Sequence, residues 1–251
     1  MRKAWLAVRS VVLWTVSGIH FAVLGTFLVF LGLCIDPRNN DTPQRIFFRN
    51  ILRLAGTKFE VRMAPGFDRE RTSIFICNHV NIFDPFVIYS AIPQFVRGFE
   101  LESHFKIPAY GWMMGRFGNI PVPDAPSRAG LEEMSRRAKA ALDSGVSLIV
   151  FPEGSRTRNG SVGEFRTGIF RLAQKFGVPI VPMSIVGSYE FSRTGDWILH
   201  PGKITVILHE TIDTKDFGRD QVDELCARVR AIVSAPVEEF RRKRENREAQ
   251  M

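Results

Sequence analysis

Cysteine is scarce in this chain: Cys34, Cys77 and Cys226 are all that 251 residues contain. They are odd in number, widely spaced and form no C-x-x-C pair. That argues against a disulfide scaffold or a structural zinc site and points to a reducing compartment. There is no internal repeat, no low-complexity tract and no G-x-S-x-G elbow. No constellation of residues reads as a metal site, and no cofactor is implied. Acidic residues are in deficit, 26 against 34 Lys and Arg, for a formal net charge of +8 and a pI near 9.8. The balance favours an anionic partner without distinguishing nucleic acid, phospholipid or an acidic carrier protein. Hydrophobic residues make up 45%. This excludes a disordered or collagen-like chain, and the length fits one catalytic-sized domain with an appendage.

The most local absence is of charge. From Val11 to Cys34 no Asp, Glu, Lys or Arg occurs over 24 residues. As a helix this run reaches ~36 Å, against ~30 Å of bilayer hydrocarbon. It is longer than a signal-peptide core and no small-x-small cleavage site follows, so it reads as a retained membrane segment. Gly18, Gly25 and Gly32 recur every seven residues as a small-residue stripe where another helix could approach. Asp41-Thr42-Pro43 then signals a helix start with Asp41 as cap, and Gly56 a stop. Arg45, Arg49 and Arg53 fall on one face and Phe47, Phe48, Ile51, Leu54 and Ala55 on the other. Such a helix suits an anionic membrane surface, or it docks its apolar face on a soluble core. Positive residues flank the apolar run on both sides and set no orientation. A two-helix hairpin within one leaflet is the preferred arrangement, membrane-associated with the remaining chain facing the cytoplasm.

Beyond Lys58 short apolar runs alternate with amphipathic stretches. Strands are expected at 73–77, 119–122, 147–151, 180–186 and 203–209, and helices at 84–91, 127–144, 167–176 and 221–240. The fold class is therefore α/β, a mostly parallel mixed sheet flanked by helices, with the N-terminal membrane-binding helical pair added. The expected organisation is residues 1–56 for the membrane-associated helices, 57–240 for the α/β domain and 241–251 for a solvated basic tail.

Two strand ends carry chemistry. His79 follows the buried strand at 73–77 and stands five residues before Asp84. A general base needs an imidazole with one ring nitrogen free and the other fixed, and a carboxylate reached after a tight turn can fix it. Asp84, ahead of Pro85, also suits a helix cap, and its two oxygens can serve both purposes. Cys77 lies on the same strand face as His79, so a Cys-His nucleophile is an alternative to a small buried thiol. The second end is Phe151-Pro152-Glu153-Gly154-Ser155-Arg156-Thr157, where Pro152 ends a strand and Gly154 permits a tight turn. Backbone N–H groups and Arg156 can there face one anionic site, phosphate included.

Together, Asn78-His79-Val80-Asn81-Ile82-Phe83-Asp84 and Phe151-Pro152-Glu153-Gly154-Ser155-Arg156 resemble the glycerolipid acyltransferase family, which includes 1-acylglycerol-3-phosphate acyltransferases. Val178-Pro179-Ile180-Val181-Pro182 resembles its fourth motif, and Ile107-Pro108-Ala109-Tyr110-Gly111-Trp112 fits its I-P-x-x-G-W spacer. The resemblance spans about Gly56 to Gly187. Two positions depart from it. Asp124 stands where the family's second motif carries Arg, and Glu100-Leu101-Glu102-Ser103-His104 replaces a stretch that usually holds a lysine. Both family residues are associated with the acceptor's phosphate, and Arg128 or Lys106 are candidates to compensate.

The resemblance implies transfer of a fatty acyl chain from acyl-CoA or acyl-carrier protein to a hydroxyl of a membrane lysolipid. 1-Acylglycerol-3-phosphate is the leading acceptor, and a lipid without phosphate the alternative. His79 would take the hydroxyl proton and Asp84 would orient the ring. Arg156, with Gly154 and Ser155, would position the headgroup, and Glu153 would contact acceptor hydroxyls. A thioesterase or lipase would use water instead, and the missing serine elbow disfavours it. A nucleic-acid-binding or adaptor module leaves the histidine–carboxylate block unexplained, and the long apolar N-terminus disfavours nucleic acid.

Overall fold

Strand formation follows β-branched and aromatic runs, and in this computed structural model they build one seven-stranded sheet, ordered β1-β7-β6-β2-β5-β3-β4. The structure describes residues 2–36, 38–39, 41–107, 110–125 and 127–250. The strands are β1 (Lys58–Met63), β2 (Ile74–Cys77), β3 (Val96–Leu101), β4 (Ile120–Val122), β5 (Ser147–Val150), β6 (Ile180–Val186) and β7 (Lys203–Leu208). All neighbouring pairs are parallel except β6 with β7, so the sheet is mostly parallel and mixed. Beyond the expected strands it includes β1 and β3.

Side chains alternate across the sheet and divide the core in two. Phe75, Cys77, Ile149, Val181 and Met183 face α1 (Arg2–Cys34), α2 (Thr42–Leu54) and α3 (Asp84–Ala91). Ile74, Ile76, Leu148 and Ile180 face α5 (Arg128–Asp143), α6 (Gly168–Phe176) and α8 (Val222–Ala249). The remaining helices, α4 (Tyr110–Arg116) and α7 (Ser188–Phe191), are short connectors. β2 and β5 are adjacent, but the chain leaves β2 for α3 on one face and β5 for α6 on the other. Such a divergence opens a crevice at the strand ends.

The N-terminal helices differ from expectation in how they attach. α1 lies along the body for most of its length. The Trp14 indole N–H donates to the Trp197 carbonyl at 2.7 Å, the Leu199 N–H donates to Ser10 Oγ at 3.0 Å, and Leu28 is buried. Its other face leaves Trp5, Val8, Val12, Ile19, Val23 and Phe27 exposed. The segment Lys3–Cys34 is long and apolar enough to cross a membrane. The glycine stripe has a modest role: open space surrounds Gly18, and Phe47 approaches Gly25 only at ordinary contact distance.

α2 docks on the body through Phe47, Ile51 and Leu52, all buried. Its basic face is taken up by protein. Arg45 donates to the carbonyls of Ile92 and, at 2.9 Å, Gln94, while Arg49 donates to the Ser90 carbonyl at 3.2 Å. Cations there satisfy carbonyls around the C-terminal end of α3. The expected membrane-facing arginine face is therefore corrected for Arg45 and Arg49. Asp41 does not cap α2 through its side chain; its carboxylate pairs with Arg45 Nε at 2.8 Å instead. The expected basic tail is also no free terminus. α8 continues through it to Ala249, Arg241 bonds Ser161 Oγ, and Arg244 pairs with Glu190 at 3.1 Å.

Candidate active site

His79 sits just past β2, at the crevice. Asn78 fixes the exit: its amide donates to the Ile185 carbonyl at 3.0 Å and accepts the Ile185 N–H at 2.8 Å, extending the β2–β6 pairing by a side chain. Asn81 then pins the turn, donating to Ser188 and Ser192 carbonyls at 2.8 and 2.9 Å and accepting the Phe83 N–H at 2.9 Å. The turn returns the chain so that Asp84 opens α3 directly beside the imidazole.

His79 Nδ1 lies 2.7 Å from Asp84 Oδ2. The same oxygen accepts the N–H groups of Val80 at 2.6 Å and Asn81 at 3.1 Å. With that carboxylate ionised, Nδ1 must carry the proton and Nε2 is left with its lone pair free. Asp84 is fully buried while the His79 side chain is 24% exposed, so one member is sealed and the other open. Burial pushes the Asp84 carboxyl above its ordinary range, opposed by the His79 ring and the two N–H donors. The imidazole also stacks on Phe151, with centroids 4.1 Å apart and planes inclined by 17°. Asp84 thus orients the ring and fixes the turn through Oδ2 alone; the cap position of α3 is Phe83 and no side chain caps it, so the expected capping role of Asp84 is corrected.

Cys77 is not a nucleophile candidate in this geometry. Its thiol is fully buried, points to the Asn78 carbonyl, and is pushed well above the usual range by burial and by Asp84.

The second strand end is zipped onto the first. Glu153 Oε1 accepts the His79 N–H at 2.7 Å, and the Thr157 N–H donates to the His79 carbonyl at 2.9 Å. Glu153 Oε2 accepts the Gly163 N–H at 2.7 Å. Desolvation raises the Glu153 carboxyl above its ordinary range against those two donors. Both of its oxygens therefore bind backbone, which departs from the expected contact with acceptor hydroxyls. Thr194 Oγ1 completes the seam by donating to the Thr157 carbonyl at 2.8 Å.

Gly154, Ser155 and Arg156 are exposed beyond this seam. Ser155 and Arg156 line a cleft of about 580 Å³ together with Arg158, Ser161 and Arg166. Gly154 has a φ of +70°, and a Cβ there would sit 2.8 Å from the Arg166 guanidinium carbon, so both backbone and neighbour demand glycine. The acids at the cleft are engaged: Glu153 by backbone, Glu164 by Arg230 at 3.0 Å. The cleft is consequently cationic and suits a phosphate-bearing ligand.

Asp124, the position that departs from the family pattern, accepts the Ser103 N–H at 2.9 Å and its hydroxyl at 2.6 Å, holding the turn at 102–106. Arg128 is exposed and paired with Glu132 at 2.9 Å. In the spacer at 107–112, Pro108 and Ala109 lie outside the described residues. No group of three or more His, Cys, Asp or Glu side chains placed to hold a metal occurs among the described residues.

Comparison with known proteins follows the same lines. A family model described as Acyltransferase matches residues 58–186. The chain is 28% identical over 221 residues to the 1-acyl-sn-glycerol-3-phosphate acyltransferase of Escherichia coli (strain K12), covering 85% of this chain and 86% of that one. It is 31% identical over 158 residues to a chloroplastic 1-acyl-sn-glycerol-3-phosphate acyltransferase of Brassica napus, covering 62% of this chain and 44% of the relative. The chain spans about half the length of the plant relatives it matches. The crystal structure of the 1-acyl-sn-glycerophosphate (LPA) acyltransferase PlsC from Thermotoga maritima superposes with a TM-score of 0.78 at 25% identity, covering 96% of this chain and 98% of that one.

Proposed function

The chain belongs to the acyltransferase family, and from that premise we propose that it moves a fatty acyl group from a thioester to the free hydroxyl of 1-acylglycerol-3-phosphate in phospholipid synthesis. One observation carries the reading: a partly exposed imidazole has its Nδ1 held by a buried carboxylate, and its backbone is bonded to Glu153 and Thr157, which line the cationic cleft. The chemistry follows from that arrangement. Nε2 takes the acceptor's hydroxyl proton, and the oxygen attacks the thioester carbonyl carbon. The tetrahedral species collapses with expulsion of thiolate, which recovers a proton from the imidazolium. Asp84 stabilises the transient imidazolium, and no acyl-enzyme forms. The acyl donor is acyl-CoA or acyl-carrier protein, both of which present the required thioester.

Arg156 and Ser155, with Arg158 and Arg166 beside them, bind the acceptor's phosphate, and the Gly154 turn lets them converge on it. Glu153 serves this site by fixing the His79 backbone. α1 rests on the body along its length and turns an apolar stripe outward. This supports insertion of α1 into one leaflet; on our reading residues 1–56 are the membrane-associated unit, with the crevice beside the lipid surface and the remaining chain facing the cytoplasm.

The test is transfer of a labelled acyl chain from acyl-CoA to 1-acylglycerol-3-phosphate in mixed micelles. The wild type forms diacylglycerol phosphate, and His79→Ala loses ~10²–10⁴-fold while remaining folded. Near-normal transfer by that variant overturns the assignment. Release of free fatty acid without acylated lipid would favour hydrolysis instead.

A further inference from the structure

The Val162–Gly163 peptide group is held from both ends. Its N–H donates to Glu153 Oε2 at 2.7 Å, and its carbonyl accepts from Arg230 Nη2 at 3.3 Å. Arg230 Nε also donates to the Gly163 carbonyl at 2.8 Å, so the guanidinium forks across two successive carbonyls. A Cβ on Gly163 would sit 2.9 Å from Glu153 Oε2, so the contact is tight. Arg230 belongs to α8, remote in sequence from the two strand ends and outside residues 58–186.

We infer that Arg230 is a positioning residue for His79. By clamping this peptide it holds the Glu153 carboxylate against the His79 N–H and so sets where the imidazole stands. The relay runs from Arg230 to Val162–Gly163, to Glu153, and to the His79 backbone. Only the first link lies on α8. Without the fork, the loop at 158–164 keeps fewer fixed points, and Glu153 loses a donor it needs while desolvated. Displacing a base by a fraction of an ångström is costly to rate and nearly neutral to substrate binding.

The inference rests on the acyl-transfer reading for what the imidazole does, but the relay can be read without it. In kinetics, Arg230→Met lowers kcat about tenfold with each KM changed less than about threefold. Glu153→Ala lowers kcat further, and the double variant loses no more than Glu153→Ala alone. Losses that multiply, or a change confined to KM, overturn the relay. Amide hydrogen exchange supplies the arm that needs no activity. In Arg230→Met the segment 77–82 exchanges at least threefold faster, while Arg228→Met on the same helix leaves it unchanged. Should the methionine variant fail to fold, Arg230→Gln, which keeps one donor, takes its place. Unaltered exchange at 77–82 sinks the inference even if transfer is intact. A wild type that transfers nothing, with exchange at 77–82 still responding to Arg230, sinks the functional reading alone.

Discussion

The Phe151 ring lies nearly flat against the His79 imidazole, 4.1 Å between centroids. Phe151 directly follows β5 and lies two residues before Glu153, so a single chain segment both stacks the ring and holds its backbone. Stacking of this kind is worth about 0.5–1.5 kcal/mol. Phe151→Leu is expected to keep the fold and lower kcat about three- to tenfold, measured by acyl transfer at saturating substrate.

Asp84→Asn is expected to cost ~10²–10⁴-fold in kcat. The N–H groups of Val80 and Asn81 already point at the oxygen that holds His79, so an amide would keep its oxygen on them. That oxygen also accepts the Nδ1 proton, so the tautomer is kept, the NH₂ falls at the buried Oδ1 position, and what is lost is the negative charge that stabilises the imidazolium. Activity within a few-fold of wild type would contradict the role given to the Asp84 charge.

Gly154→Ala is expected to destabilise the chain by about 1–2 kcal/mol and to raise KM for the phosphorylated acceptor. The added methyl meets both a positive φ and the Arg166 guanidinium. Thermal unfolding and KM for acceptors with and without headgroup phosphate check it. A KM change equal for both acceptors would separate Arg166 from phosphate.

His209 provides a pH dependence of stability. Its Nε2 lies 2.8 Å from Ser184 Oγ, whose own proton goes to the Val233 carbonyl, so His209 must donate there. Burial lowers its pKa below the ordinary histidine value. The native state therefore binds fewer protons than the unfolded chain as pH falls below about 6.5, and stability drops through that window. Denaturant titrations between pH 5 and 8 should show the loss. His209→Gln, which keeps an N–H donor without a titrating ring, should flatten it.

Replacing Val8, Val12 and Ile19 with serine is expected to cut binding to phospholipid vesicles at least tenfold, since each buried aliphatic side chain contributes about 1.5–3 kcal/mol. Transfer to micellar acceptor should fall far less, because these side chains are exposed rather than packed in the core. Flotation with vesicles and a micellar assay run together distinguish the two.

The strand ends that carry His79, Asp84 and Arg156 were legible because β2 and β5 are buried on both faces and read as continuous apolar runs. β1 and β3 were not. Lys58–Met63 interleaves Lys, Glu and Arg with apolar residues, and Val96–Leu101 contains Arg97, Gly98 and Glu100. β1 is an edge strand and β3 carries mostly half-buried residues, where polar side chains are tolerated. The direction of β7 was equally hidden, since alternation fixes faces but not sense. Glu153 showed its presence but not its partners: Gly163 lies ten residues on, and nothing local announces that its N–H turns back. Asn78 and Asn81 stood inside the quoted block, yet their bonds reach β6 and α7, contacts that spacing cannot reveal.

Because β5 slots between β2 and β3, and β6 lies on β2's other side, both neighbours of the central strand β2 are chain that emerges after it. His79 and Asp84 are joined through local turns, but their supports on 151–163 and 185–194 arrive only once those two places are filled. An incompletely assembled chain would thus possess its base without a scaffold to aim it. On the proposed function, acyl transfer would then wait on closure of the whole sheet.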